Sequence, residues 1–175
     1  MRLAGISLQR MSELEIPICV FCHQRTGLRL RRFFSLVSRL GDGHYFYAIL
    51  LALVWIDGLA ALPAIGHASA AGLAGHLLYR SLKRGTARLR PCDEGGFDPT
   101  VPALDKYSFP SGHTLHALGF ALVICAYYPF LGWLLFPFAL LVALSRVLLG
   151  LHYPTDVVAG AALGASIAWL SLTFT

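Results

Sequence analysis

An uncharged stretch of 39 residues, 107–145, is the feature that most limits what this chain can fold into. It contains no Asp, Glu, Lys or Arg, and most of its side chains are apolar. Because one helix needs about 20 apolar residues to cross a bilayer, the stretch is too long for one span and fits two. The break between the two spans is predicted at Tyr127-Tyr128-Pro129.

Other apolar stretches extend this pattern over most of the chain. Residues 44–63 supply one predicted span, residues 64–82 a second that is rich in Ala and Gly, and residues 157–175 the last. Pro154 suits the first turn of the last helix, and the Ala and Gly residues of 159–165 favour close contact between helices. The sequence therefore predicts an all-α, multi-pass transmembrane bundle of about five spans.

Composition narrows the class of protein further. Charged residues make up only 13% of the chain, whereas soluble domains contain about a quarter. Disordered chains are charge-rich and poor in aromatics, so disorder is excluded and a water-soluble globule is disfavoured. The net charge of +5 would suit nucleic acid, but so apolar a chain fits anionic lipid head groups or phosphate substrates better. Membrane lipids are thus the expected partners; no nucleic acid is expected, and no obligate protein partner can be inferred.

The first 43 residues are more polar, and we predict a basic interfacial segment over 1–43 followed by a membrane domain over 44–175. Residues 27–40 interleave apolar side chains with arginines. Such a segment either lies in the membrane interface or packs on the bundle as an ordinary helix, and the two are compatible. Gly41-Asp42-Gly43 then marks a turn.

Cys19 to His23 spell C-x-x-C-H, the attachment pattern of c-type haem. No haem-binding domain surrounds the motif, so we interpret it as small apolar residues on a short interfacial helix. Pro17 is expected to break any clean helix between residues 12 and 23. Four cysteines are too few for a disulfide framework, and no cofactor is predicted.

The polar segments of the membrane domain are predicted to lie on the same side of the membrane. With alternating spans, residues 83–107, 108–113, 145–146 and 152–156 all fall on one membrane face. The opposite face receives only short uncharged connections. The potentially reactive groups therefore converge on one side.

Three spaced motifs occupy these segments: Lys83, six residues and Arg90-Pro91; Pro110-Ser111-Gly112-His113; and Ser145-Arg146, five residues, His152, three residues and Asp156. In order and spacing they resemble the signature motifs of the PAP2 (type 2 phosphatidic acid phosphatase) superfamily of membrane-bound lipid phosphatases. Eleven positions match, across about residues 80–156. Short motifs match by chance, but three in the right order and context do not.

The residue types suit phosphate chemistry on their own. Lys83, Arg90 and Arg146 are three cations at one face, and the arginine fork binds phosphate oxygens in pairs. Ser111 and Gly112 stand where a loop enters a predicted span, and free N–H groups at a helix start bind anions. These groups form a predicted metal-free phosphate pocket that also stabilises five-coordinate phosphorus.

The resemblance implies roles for the remaining three residues. His152 is the expected nucleophile, giving a phosphohistidine. Asp156 is expected to hold the other ring nitrogen of that imidazole. His113 is expected to protonate the leaving oxygen and later to activate water.

Other polar residues receive weaker predictions. Asp57 is expected near the opposite interface, and His67 and His76 are expected to pack or to lie at an interface. His116 is placed near the pocket mouth, and its role is left open. Whether Lys106 contacts a head group is also left open. Four loop acids are expected to be solvated, because they lack metal-ligand spacing: Asp93, Glu94, Asp98 and Asp105.

The function expected from the resemblance is an integral membrane phosphatase acting on phosphatidic acid, phosphatidylglycerophosphate or undecaprenyl diphosphate. A lipid phosphotransferase that uses the same phosphohistidine and a non-catalytic lipid-binding protein are alternatives. Vanadium haloperoxidases share the motifs but resemble larger soluble proteins. Short loops suggest a bacterial inner membrane, and the side that the site faces stays open.

Overall fold

The computed structural model describes residues 2–99, 101–103 and 105–174, which form helices and connecting turns with no strand. The helices are α1 (Arg2–Arg25), α2 (Leu28–Arg39), α3 (Tyr45–Asp57), α4 (Leu62–Thr86), α5 (Pro91–Gly95), α6 (Gly112–Tyr127), α7 (Gly132–Leu148) and α8 (Pro154–Thr173). A π-type turn, Leu40–His44, joins α2 to α3. Short 3-10 turns, Gly58–Ala61 and Pro129–Leu131, join α3 to α4 and α6 to α7.

The all-α prediction is confirmed, and so is the predicted break between α6 and α7. Three helical stretches are long and apolar enough to cross a membrane, Leu28–Gly95, Pro129–Leu148 and Pro154–Thr173, while Gly112–Tyr127 is apolar but shorter. The count of five spans and the boundary after residue 43 stay predictions. Met1 and Thr175, at the ends of the predicted domains, lie outside the described residues.

Helix α6 lies at the centre of the bundle and packs against α4, α7 and α8. Its contact with α8 depends on two glycines. A Cβ at Gly164 would lie 2.3 Å from the carbonyl oxygen of Leu115, and one at Gly160 would lie 2.4 Å from that of Ser111. The close contact predicted from the small residues of α8 is therefore confirmed, and it fixes the start of α6 against the start of α8.

Large apolar side chains cover the outside of the bundle. Trp55 is 90% exposed and Trp133 is 91% exposed, whereas Val123 and Ile124 in the core are fully buried. An outer surface of this kind is stable in lipid and not in water.

The N-terminal helix corrects one prediction. Helix α1 runs unbroken through Pro17, so the expected break there was wrong. Proline removes one backbone donor and crowds the preceding turn, but buried contacts hold α1 on both sides of it. Glu15 is buried before the proline, and Cys19 and His23 are buried after it. All four cysteines are free, and the His23 ring packs 4.4 Å from that of Phe97.

Helix α2 packs on the bundle through one face. Phe34, Val37 and Ser38 are buried, mostly against α7, while Phe33 and Leu36 on the other face are exposed. This helix and the turn after it bring the N-terminal segment to the polar end of the bundle.

Candidate active site

The three motifs meet at one cavity of about 540 Å³ at the polar end of the bundle. Six of the predicted site residues line it: Lys83, Arg90, Gly112, His113, Arg146 and His152. The other two, Ser111 and Asp156, lie behind the wall and are fully buried. The structure therefore brings together residues that are as far as 73 positions apart in the chain, from Lys83 to Asp156.

A tight turn after α7 places His152 beside Arg146. The carbonyl oxygen of Arg146 accepts hydrogen bonds from the N–H groups of both Leu151 and His152, each at 3.0 Å. Gly150 allows this turn because its φ is +71°, in the left-handed region that favours glycine. The five-residue spacing between Arg146 and His152 is thus the length of this turn.

Arg90 determines which nitrogen of His152 carries the lone pair. Its Nη1 donates to the Leu151 carbonyl at 2.6 Å and lies 3.3 Å from His152 Nε2. Because a guanidinium only donates, Nε2 is the acceptor and the ring proton sits on Nδ1. Burial lowers the pKa of His152 well below its usual value, and the charges of Arg90 and Arg146 lower it further. The imidazole is therefore neutral, which is the form that the predicted role as nucleophile requires.

Asp156 lies close to His152 without a hydrogen bond to it. Its Oδ2 is 3.6 Å from His152 Nδ1, and that nitrogen has no acceptor among the described residues. Oδ2 instead accepts the N–H of Tyr153 at 2.9 Å, which caps the start of α8. The predicted contact between this carboxylate and the imidazole thus needs a shift of less than 1 Å, from 3.6 Å to hydrogen-bonding distance.

Arg88 does not line the cavity, and its support of the site was not predicted from the sequence. It is buried and makes four hydrogen bonds: to Asp156 Oδ1 at 2.6 Å, Thr155 Oγ1 at 2.8 Å, Glu15 Oε2 at 2.8 Å and Ser12 Oγ at 3.0 Å. It therefore neutralises the fully buried Asp156 and ties α1 to α8. The signal was its spacing, because Arg88 lies two residues before Arg90 on the same connection.

At the start of α6, Gly112 borders the cavity but the polar groups of Ser111 are bonded elsewhere. Gly112 lines the cavity, and the Tyr79 ring packs 3.3 Å from where a Cβ of this glycine would be. The N–H of Ser111, however, donates to the carbonyl oxygen of Asp156 at 3.0 Å. Its hydroxyl pairs with that of Thr114 at 3.0 Å. The N–H of Ser111 is therefore used by α8, and phosphate binding by Ser111 and Gly112 stays a prediction.

Asp42 is a second residue that the sequence analysis missed as part of the site. Its Oδ1 lies 2.5 Å from His113 Nε2, and both residues line the cavity. The turn that carries it has Gly43 at φ +127°, which directs the chain from α2 into α3. The signal was topological, since residues before the first predicted span share the face of the motifs.

Asp105 is exposed, as predicted for a loop acid, but its carboxylate is paired within the site. Both of its carboxylate oxygens lie 2.7 Å from Lys83 Nζ, and Oδ1 also accepts from Arg90 Nη2. Burial alone would raise the pKa of Asp105, but the hydrogen bonds and charges of Lys83 and Arg90 outweigh it and lower that pKa. This acid pairs with the two cations of the first motif, so it belongs to the site. Glu94 also has a partner, since Tyr153 Oη donates to it at 2.6 Å.

Arg146 retains unused capacity for an anion. The side chain is buried, its Nη1 donates to Ser38 Oγ, and its Nε has no acceptor among the described residues. A buried donor without a partner costs about 1–3 kcal/mol. A phosphate oxygen in the adjoining cavity would satisfy it.

The residues with weaker predictions divide between the cavity and the rest of the bundle. Asp57 lies at the far end of α3, where Tyr128 Oη donates to it at 2.8 Å, and His67 pairs with Tyr127 Oη at 3.1 Å. His116 lines the cavity, and so does His76, which was expected only to pack. Lys106 lies over the Tyr107 ring, 5.9 Å from its centroid, outside the cavity lining.

Comparison with known proteins decides the family. The sequence profile described as the PAP2 superfamily matches residues 63–175. The chain belongs to the PAP2 superfamily. All eleven motif positions fall within the matched range.

Relatives in the PAP2 superfamily are membrane lipid phosphatases. The chain is 29% identical to undecaprenyl-diphosphatase BcrC of Bacillus subtilis over 73% of its length and 67% of that protein. It is 35% identical to phosphatidylglycerophosphatase B of the same organism over 77% of its length and 64% of that protein. The solved structure of Aquifex aeolicus LpxE matches with a TM-score of 0.78 and 25% identity, over 91% of this chain and 95% of that one. The chain is thus an integral membrane PAP2 phosphatase, a hydrolase of phosphoric esters or anhydrides.

Proposed function

We propose that this protein removes the terminal phosphate of a lipid phosphate monoester or diphosphate through a phosphohistidine at His152. The observation that carries the proposal is a neutral, buried imidazole whose Nε2 lies beside Arg90 and opens on a cavity with three cations. A phosphate there would accept from Lys83, Arg90 and the unpartnered Nε of Arg146. These charges stabilise the negative charge that grows on phosphorus during attack.

The steps follow from the positions of the groups. Nε2 of His152 forms a bond to phosphorus, and the bond from phosphorus to the bridging oxygen breaks. That oxygen leaves with its electron pair on the lipid and takes a proton from His113. Asp156, 3.6 Å from Nδ1, stabilises the positive charge on the His152 ring, and Arg88 holds Asp156 in place.

A second displacement releases inorganic phosphate. Water attacks phosphorus, His113 accepts its proton, and the electron pair of the P–N bond returns to His152. Asp42, 2.5 Å from His113, stabilises the protonated ring that exists before the first step and after the second. Microscopic reversibility requires the same group to serve as acid and then as base.

The substrate is proposed to be a prenyl diphosphate or a glycerophospholipid phosphate, the classes named for its relatives. The inner cavity wall is apolar and suits a lipid tail, with side chains that include Phe46, Leu50, Leu73, Leu115 and Ile167. We also propose a multi-pass placement in a bacterial cytoplasmic membrane.

The test is phosphate release by purified protein in detergent with a chelator present. The panel contains phosphatidic acid, phosphatidylglycerophosphate and a prenyl diphosphate. We expect release by the native protein, loss of it in His152→Ala, and retention in His67→Ala, which changes a histidine outside the cavity. Release that persists in His152→Ala would exclude the phosphohistidine. Transfer of the phosphate to an added lipid alcohol in place of water would identify a phosphotransferase.

A further inference from the structure

Three polar aromatic side chains line the cavity one to two turns deeper in the bundle than the phosphate-binding groups. They are His76 and Tyr79 on α4 and His116 on α6. Tyr79 precedes Lys83 by one helical turn, and His116 follows Gly112 by one turn, a separation of about 5.4 Å along each helix axis. The cluster therefore lies between the phosphate site and the apolar wall.

The members of the cluster contact one another and the phosphate site. The rings of His76 and His116 stack with centroids 6.4 Å apart, and Tyr79 packs edge-on against both, at 5.2 and 5.7 Å. Lys83 Nζ lies 5.5 Å from the centroid of the Tyr79 ring. The cluster is thus continuous with the first cation of the site.

The polar atoms of this cluster are free to bind a ligand. Within the part of the chain that the structure describes, no hydrogen bond joins His76, Tyr79 or His116 to another residue. All three are only partly buried and border the cavity. Their polar atoms thus border the cavity without an internal partner among the described residues, where a ligand can reach them.

We infer that His76, Tyr79 and His116 form a subsite for the second phosphoryl group of a lipid diphosphate, the group that leaves attached to the lipid. This inference rests on the proposed function and extends it to substrate choice. Imidazole N–H and phenol O–H groups donate hydrogen bonds to phosphoryl oxygens. The carboxylates that line the cavity among the described residues are paired elsewhere, Asp42 with His113 and Asp105 with Lys83 and Arg90, and no hydrogen bond joins either to the cluster.

The position suits the chemistry of a diphosphate. When His152 attacks the terminal phosphorus, the bridging oxygen departs on the second phosphoryl group, so negative charge grows on that group. The terminal phosphate engages Lys83, Arg90 and Arg146, and the second group needs donors further along the cavity. Donors aimed at developing charge lower the barrier for the diphosphate more than for a monoester, whose carbon-bound oxygen has no such group.

The experiment compares two substrates that differ by one phosphoryl group, farnesyl diphosphate and farnesyl phosphate, with the full chain in detergent micelles. Dioctanoyl phosphatidic acid is a third arm, which tests whether glycerol ester oxygens use the cluster instead. We expect native kcat/KM to favour the diphosphate over the monophosphate by at least tenfold. In Tyr79→Phe and His116→Phe this ratio should fall about tenfold, the size of one hydrogen bond to a charged group.

His67→Phe is the matched control, because it changes a histidine of the same helix that faces Tyr127 and not the cavity. It should leave the ratio unchanged. Tyr79→Phe removes one oxygen atom only, so it remains informative if His116→Phe does not fold. An equal loss on all substrates, or an unchanged ratio, would overturn the subsite. A selective loss on phosphatidic acid would reassign it to ester oxygens and also overturn the inference. No release from any substrate by native protein would instead overturn the proposed function.

Discussion

Replacing Arg88 by Met tests the ionic network that holds Asp156, and the burial of its members sets the expected loss in the free energy of unfolding. The guanidinium is 2% exposed and pairs with Asp156, which is 0% exposed, and with Glu15, which is 11% exposed. Met fills a similar volume but leaves two buried carboxylates without a counter-ion. Breaking a buried pair by removing one partner costs about 3–5 kcal/mol, a large part of the 5–15 kcal/mol that holds a typical domain together.

The assay is unfolding of the purified protein by SDS titration in mixed micelles, with phosphate release measured in parallel. Arg84→Met is the matched control, because Arg84 is exposed and lies four residues earlier. We expect Arg84→Met to change the free energy of unfolding by about 0.5 kcal/mol or less. Arg88→Met should also lower kcat on the order of 100-fold, since displacement of a positioning group by about 1 Å has that effect.

A double-mutant cycle separates the network from simple loss of packing. In Arg88→Met, the Glu15→Gln substitution removes one of the two uncompensated carboxylates. The double variant should therefore lose less free energy of unfolding than the sum of the single variants. Glu13→Gln on the exposed face of α1 should show no coupling. The reasoning about a buried ionic network is wrong if Arg88→Met and Arg84→Met have the same free energy of unfolding. It is also wrong if the losses in Arg88→Met and Glu15→Gln simply add in the double variant.

Four further outcomes are expected. Asp42→Asn should lower kcat by about 10- to 100-fold while KM changes little, because it removes the charge that stabilises protonated His113; equal activity in steady-state assays would contradict this. Asp105→Asn should tighten inhibition by inorganic phosphate, because the Asp105 carboxylate occupies Lys83 and Arg90; an unchanged inhibition constant would show that this carboxylate does not compete with phosphate for the two cations. Because the pKa of His152 is lowered in the folded protein, the unfolded chain binds more protons below pH 6.5, so the free energy of unfolding should decrease as the pH is lowered from 7 to 5; His152→Asn should lack this share of the decrease in unfolding titrations. Gly164→Ala should destabilise the fold by about 1–3 kcal/mol, while Gly66→Ala, which meets nothing within 4 Å, should be neutral or stabilising in the same assay.

The sequence was a good guide where a single segment carries the information. The helical bundle and the turn at Tyr127-Tyr128-Pro129 follow from hydropathy and length, because a bilayer requires long apolar helices. The convergence of the three motifs follows from the alternation of spans. The close contact of α6 and α8 follows from Gly160 and Gly164, since only residues without a side chain permit it.

Sequence reasoning failed where a group acts through a distant partner. Pro17 breaks an isolated helix, but burial on both sides keeps α1 intact. Asp105 looked like one solvated acid of four, yet it pairs with two motif cations. The N–H of Ser111 is bonded to α8, a contact that the sequence pattern did not indicate. In each case the outcome depends on a tertiary neighbour that local pattern does not reveal.

The sequence by itself determined the family and the candidate site residues of this protein, and the tertiary structure decided how those residues are held. Lys83, Arg90, Arg146, His113 and His152 are recognisable from type and spacing, because phosphate transfer demands cations and imidazoles in one place. Their supporting carboxylates are not, since an Asp or Glu can equally be solvated on any loop. Only the packing of α1 against α8 buries Glu15 and Arg88 together with Asp156. Only the turn after α2 brings Asp42 to His113, because electrostatic pairing depends on distance in space and not on separation along the chain.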